Sequence, residues 1–119
     1  MEKIRMHKDL DIWKVSIELV MDVYQLTKVF PDSEKFSLSL QMQRAAVSIP
    51  SNISEGAGRQ HVKEFIQFLY ISSGSLSELE TQMEIAFQLK YVKSIEELNN
   101  KIIRIRQMMT KLIKSLKDS

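Results

Sequence analysis

Six polar side chains between Gln41 and Arg59 stand at helical spacing, and they are the residues of this chain best placed to do chemistry. Gln41, Arg44, Ser48, Asn52, Glu55 and Arg59 follow one another at steps of three or four, which puts them in one row along a helix. Such a row could line an active site or anchor a neighbouring helix. A second concentration of charge lies near the C-terminus. From Leu98 to Lys117 the chain carries Lys101, Arg104, Arg106, Lys111, Lys114 and Lys117 and no acidic residue, whereas Glu78, Glu80, Glu84, Glu96 and Glu97 crowd the segment before it. Cations in that arrangement could bind the phosphates of a nucleic acid, joined by Lys3, Arg5 and Lys8. The competing explanation is a solvated helix face, with positive charge favoured near a helix C-terminus by the macrodipole.

Other chemistries find no support. A di-metal carboxylate site in a helical bundle needs two Glu-x-x-His pairs and two further glutamates. Here the only histidines are His7 and His61, and neither stands three residues after a glutamate. No metal or cofactor is expected. Gly56-Ala57-Gly58 follows no strand and precedes no Lys-Ser or Lys-Thr, which removes the dinucleotide and P-loop readings. The serines have no histidine and aspartate partners at a recognisable spacing. Cysteine is absent, so disulfides and thiol catalysis are excluded. Asn52-Ile53-Ser54 matches a glycosylation sequon but falls inside a helical pattern. A non-enzyme is the expectation.

The elements that must position these residues are helices. With 119 residues the chain is long enough for one domain over 1–119 with a single core, and three Gly and two Pro leave little room for loops. The first residues, Met1 to Lys8, carry charges with no apolar run after them, so no signal peptide is visible, and no run approaches a membrane span; a cytoplasmic location without membrane contact is expected. Leu10, Trp13, Ile17, Val20, Tyr24 and Thr27 make the seam of a first helix, which Asp9 could cap and Phe30-Pro31 should end. The second runs from about Ser37 or Leu38 to Gly58. Met42, Ala45, Ala46, Ile49, Ile53 and Ala57 form its core stripe, with a bend expected at Pro50. Two short helices meeting at Ile49-Pro50 are the alternative, but the core stripe keeps its phase across the proline. Val62, Phe65, Leu69, Ser72, Leu76, Leu79, Met83 and Ala86 define a long third helix. Ser94 and Glu97 form a capping-box signature for the fourth, whose seam is Ile95, Leu98, Ile102, Ile105, Met109, Leu112 and Leu116. Short connections imply antiparallel neighbours, so the fold expected is an all-α, up-down-up-down four-helix bundle.

Pivoting the second and third helices about Gln60 sets Ala45, Ala46 and Ser48 level with Ser72, Ser73, Gly74 and Ser75. Small residues on both sides let the backbones approach. Arg44 and Gln41 fall level with Ser77 to Glu80, so an Arg44 contact to Glu78 or Glu80 would make the polar row structural rather than catalytic. Ile12, Leu19, Val23, Phe68, Ile71, Ile103 and Met108 lie outside the seams; they either thicken the core or supply a surface for subunits or partners.

The run Phe30-Pro31, Glu34, Phe36, Gln41, Arg44-Ala45-Ala46, Val47 to Ile53, Glu55-Gly56, Gly58-Arg59, Phe65, Leu69, Gly74-Ser75-Leu76 and Glu78 to Thr81 resembles the 23S rRNA intervening-sequence protein family of four-helix bundles. The resemblance spans Leu10 to Leu116. The chain is also similar to the accessory protein of diversity-generating retroelements, a basic pentameric barrel that binds nucleic acid and a reverse transcriptase. These resemblances imply a homo-oligomer, a pentamer by the second of them, that contacts RNA ahead of DNA. A reverse transcriptase or another neighbouring gene product would be its protein partner. A scaffold that docks a protein without nucleic acid is the alternative. Two departures stand out: Ser54 where the family commonly has alanine, and His61 where a serine would cap the third helix at a cost of about 1 kcal/mol.

Overall fold

The computed structural model describes residues 10–118, and among them the chain forms four α-helices and one short 3-10 turn. They are α1 (Asp11–Thr27), the turn Asp32–Glu34, α2 (Leu38–Ala57), α3 (Val62–Gln88) and α4 (Glu96–Lys117). Each helix lies against its two neighbours, with α1 meeting α2 and α4, α3 meeting α2 and α4, and the diagonal pairs apart. This is the up-down-up-down bundle expected from short connections, drawn out to 48 × 24 × 19 Å. The α2–α3 pair is the most intimate contact in the molecule.

The seams of α2, α3 and α4 lie largely where the spacing puts them, although Val62 is exposed, Ala57, Ile95, Leu98 and Leu112 are only partly buried, and Ile113 is buried beside Leu112. Met42, Ala45, Ala46, Ile49 and Ile53 of α2, Phe65, Leu69, Ser72, Leu76, Leu79, Met83 and Ala86 of α3, and Ile102, Ile105, Met109 and Leu116 of α4 are buried. Helix α1 is turned from the expected phase. Its buried residues are Ile12, Val15, Ser16, Leu19, Val23 and Thr27, whereas Leu10, Trp13 and Val20 pack at the flank and Tyr24 is exposed. The sequence of α1 offers two adjacent apolar rows, and a helix that touches two neighbours fills the groove between them with both. The central row is the one holding small Ser16, whose hydroxyl donates to the Ile12 carbonyl at 2.7 Å and so enters the core with a partner. Ile12, Leu19 and Val23 are therefore core and not free surface. Asp9, the expected cap, lies outside the described residues.

Helix α2 runs unbroken through the buried Pro50. Proline has no N–H to give the Ala46 carbonyl. The carbonyls around it receive side-chain donors: Asn52 Nδ2 to Ser48 at 2.8 Å, Ser72 Oγ to Ile49 at 2.9 Å, and Ser54 Oγ to Pro50 at 2.8 Å. Near its end, Gly56 admits α3. A β-carbon there would stand 2.8 Å from Phe68 Cβ, 2.9 Å from Phe65 Cδ1 and 3.2 Å from the Phe65 carbonyl oxygen, so only glycine permits this approach. His61 occupies the N-cap position of α3 without a side-chain cap bond, as its imidazole would predict. Helix α4 begins one residue later than a Ser94 cap would give, with Ile95 at the N-cap position and Ser94 Oγ accepting the Glu96 N–H at 3.2 Å.

Two loops close the other end of the bundle together. Phe30 and Tyr91 pack in a tilted pair with ring centres 5.3 Å apart, and the Tyr91 hydroxyl donates to Glu34 Oε2 at 2.7 Å. Lys90 ends α3 in the left-handed region at φ 64°, and the Tyr91 N–H returns to the Ala86 carbonyl at 3.0 Å.

Candidate nucleic-acid interface

The polar row of α2 divides into separate groups in space. At its centre, Asn52 Nδ2 donates to Ser48 Oγ at 2.9 Å, and Ser48 shares a 2.8 Å hydroxyl–hydroxyl bond with Ser75 of α3. Together with Ser72 on the Ile49 carbonyl, this fixes the register that pivoting about Gln60 predicts. At the C-terminal end, Arg59 pairs with Glu55 at 3.5 Å and lies 4.8 Å from the Phe68 ring centre. Gln41 and Arg44 are exposed, and Arg44 enters no ion pair among the described residues. The expected Arg44 contact with Glu78 or Glu80 is not made. Glu78 is exposed, and Glu80 pairs with Arg106 of α4 at 3.2 Å. Counting from the turn fixes height along the pair but not direction around the axis: Ser72 and Ser75 face α2, whereas Ser77 and Glu80 face α4.

The six cations of α4 also fall into two classes. Lys101 Nζ lies 2.5 Å from Asp22 and 3.7 Å from Glu18, so it ties α4 to α1. Arg106 bonds Ser77 at 3.1 Å as well as Glu80. Lys117 Nζ donates to the Tyr70 hydroxyl at 3.0 Å. Arg104, Lys111 and Lys114 are exposed and take part in no ion pair among the described residues. Their spacing of seven and three puts them in one outward row about 15 Å long. A shallow groove lined by Ile103, Arg106, Gln107, Thr110 and Lys111 runs beside that row. Lys3, Arg5 and Lys8 lie outside the described residues. Asp22 and Glu18 were legible as partners only through the phase of α1, and Tyr70 through its place one edge away from the α3 core seam.

Among the described residues, no group of three or more histidine, aspartate or glutamate side chains stands where it could hold a metal ion. No helix among the described residues is long and apolar enough to cross a membrane. Among the described residues the clear electrostatic perturbation lies in the loops. The hydrogen bond from Tyr91 holds the Glu34 carboxyl below its ordinary 4.5, and the same bond pushes the Tyr91 hydroxyl above its ordinary 10.0.

No curated protein matches this chain. A solved structure that does is a protein of unknown function from the S23 ribosomal protein family of Bacteroides thetaiotaomicron. It is 27% identical over 87% of this chain and 95% of that one, with a TM-score of 0.80. The family model described as 23S rRNA-intervening sequence protein matches residues 8–111. With that match covering most of the sequence and a like bundle in the solved relative, the chain belongs to the 23S rRNA-intervening sequence protein family.

Proposed function

We propose that this protein is a non-catalytic, homo-oligomeric adaptor of the cytoplasm that binds nucleic acid through the outer face of α4. The observation that carries this reading is the row Arg104, Lys111 and Lys114, three exposed cations with no carboxylate partner among the described residues, while their neighbours Lys101 and Arg106 are paired across the bundle. Unpaired cations on a rigid helix can replace the counterions of a phosphate backbone, and binding of this kind is largely independent of sequence. RNA is placed ahead of DNA because the family's description refers to 23S rRNA. A pentamer, and a reverse transcriptase or other neighbouring gene product as partner, follow from the resemblance to the retroelement accessory protein.

Anisotropy titration at low salt with a structured RNA and a DNA duplex tests the interface. Binding should weaken with salt at a log–log slope of about −3 for three phosphate contacts. Reversing Lys111 and Lys114 to glutamate should abolish it without unfolding the bundle. If neither nucleic acid binds at micromolar protein, the reading is wrong. Light scattering tests the assembly separately, and a monomer at high concentration would contradict it.

A second reading, a scaffold that docks a protein, is favoured by the opposite end of the bundle. There the two loops expose Phe36 at 83%, Val29 at 67% and Leu89 at 50%. Under that reading the charge reversals leave partner binding intact and Phe36→Ser removes it.

A further inference from the structure

Gly74 lies in the middle of the longest helix with nothing within 4 Å of where its β-carbon would be. It is exposed, so unlike Gly56 it serves no close approach between helices. A glycine inside a helix destabilises it relative to alanine, and no packing in this fold offsets the loss. Helical side chains lean toward the N-terminus, so a side chain at position 74 would lie across the residue four before it. That residue is Tyr70, which is 52% exposed.

The surroundings of Tyr70 are equally particular. Lys117 Nζ is 3.0 Å from the hydroxyl oxygen but 5.6 Å from the ring centre. The ammonium therefore sits beyond the hydroxyl rather than over the ring. It holds the hydroxyl edge of the ring and does not itself cover a face. Lys63 and Gln67 precede Tyr70 on the same side of α3, both exposed, and Lys114 stands one turn before Lys117 on α4.

Resting on the nucleic-acid reading above, we infer that Tyr70 is a stacking platform for an unpaired base, kept uncovered by Gly74 and oriented by Lys117, with Lys63 and Lys114 set to hold the flanking phosphates. The ligand class is then single-stranded nucleic acid, or a single-stranded segment of a folded RNA, because a base inside a duplex offers no free face to a side chain. Aromatic stacking of this kind tolerates any base.

The test compares a labelled single strand about 16 nucleotides long with the same strand annealed to its complement, by anisotropy on the full chain. The wild type should favour the single strand. Tyr70→Ala should weaken single-strand binding roughly tenfold and leave duplex binding unchanged, and Tyr70→Phe should retain most of the affinity. Gly74→Gln, which covers the ring while improving helix propensity, should reproduce the loss with the bundle at least as stable by circular dichroism. A folded Tyr70→Ala variant with unchanged single-strand affinity, or one that loses both ligands equally, overturns the inference. If in that case Lys111→Glu with Lys114→Glu still abolishes duplex binding, the interface on α4 stands and only the platform falls. If the wild type binds neither strand form, both fall.

Discussion

The seam between α2 and α3 and the outer face of α4 are both rich in polar residues, but they use them in opposite ways. At the middle of the seam the polar groups are answered within the chain: Asn52 by Ser48, Ser48 by Ser75, and Ser72 by the Ile49 carbonyl. Gly56 lets Phe65 and Phe68 close over it. On α4 the cations at the edges are neutralised by α1 and α3, and the outward row keeps its charge. Residue type alone does not distinguish these cases. Distance from a second helix does, because burial penalises an unanswered polar group and water does not.

The comparison breaks most readily at Gly56. Gly56→Ala forces a β-carbon against Phe68 and the Phe65 backbone, and urea unfolding should show a loss of about 1–3 kcal/mol. Gly74→Ala, on the same seam by sequence level but outside it in space, should instead gain up to about 1 kcal/mol. Equal effects at the two glycines would undo the distinction. Ser72→Ala leaves the side chain's donor role on the Ile49 carbonyl unfilled and should cost about 1 kcal/mol by the same measurement. Smaller again is the contrast within α4. Lys101→Ala removes a part-exposed pair and should cost no more than about 1 kcal/mol, while Lys111→Ala should be indistinguishable from wild type.

The smallest effect is one of pH. Tyr91→Phe keeps the ring on Phe30 but deletes the bond to Glu34. A carboxyl held below its ordinary 4.5 contributes stability that is complete above that value and disappears as the pH falls through the folded value. A phenol raised above its ordinary 10.0 contributes stability that is complete below that value and is lost as the pH rises through the folded one. The difference in Tm between wild type and Tyr91→Phe should therefore be widest between these limits and shrink toward both extremes. A difference that is flat with pH would mean that the bond does not persist in solution.

Much of this was legible in the sequence, and the exceptions share a cause. Periodicity placed the seams of α2, α3 and α4, and the short turn at Gln60 set the register that brings Ser48 to Ser75. The two largest departures are rotations about a helix axis. α1 carries apolar residues on adjacent rows, so spacing does not say which row faces the centre; Ile12, Leu19 and Val23, which could be core or surface by spacing alone, are core. Arg44 and Glu80 lie near one height but point to different grooves. Direction around an axis depends on which helices flank it, and that is a property of the assembled bundle. For the same reason the partners of Lys101 and Arg106, and hence the three α4 cations without an ion pair among the described residues, emerge only from the packed structure.

The Tyr91 to Glu34 bond has a consequence for how the molecule opens. It joins segments 57 residues apart and so locks two chain reversals at one end of a 48 Å bundle. At the far end a single reversal links α2 to α3, while α1 starts and α4 stops beside it. Local unfolding free energy should therefore decline along the axis, giving a gradient of amide protection that is lowest in the last turns of α4. Those turns carry Lys111 and Lys114. A ligand held there would be recorded first as slowed hydrogen exchange at the loosest part of the fold, well before any change in its shape.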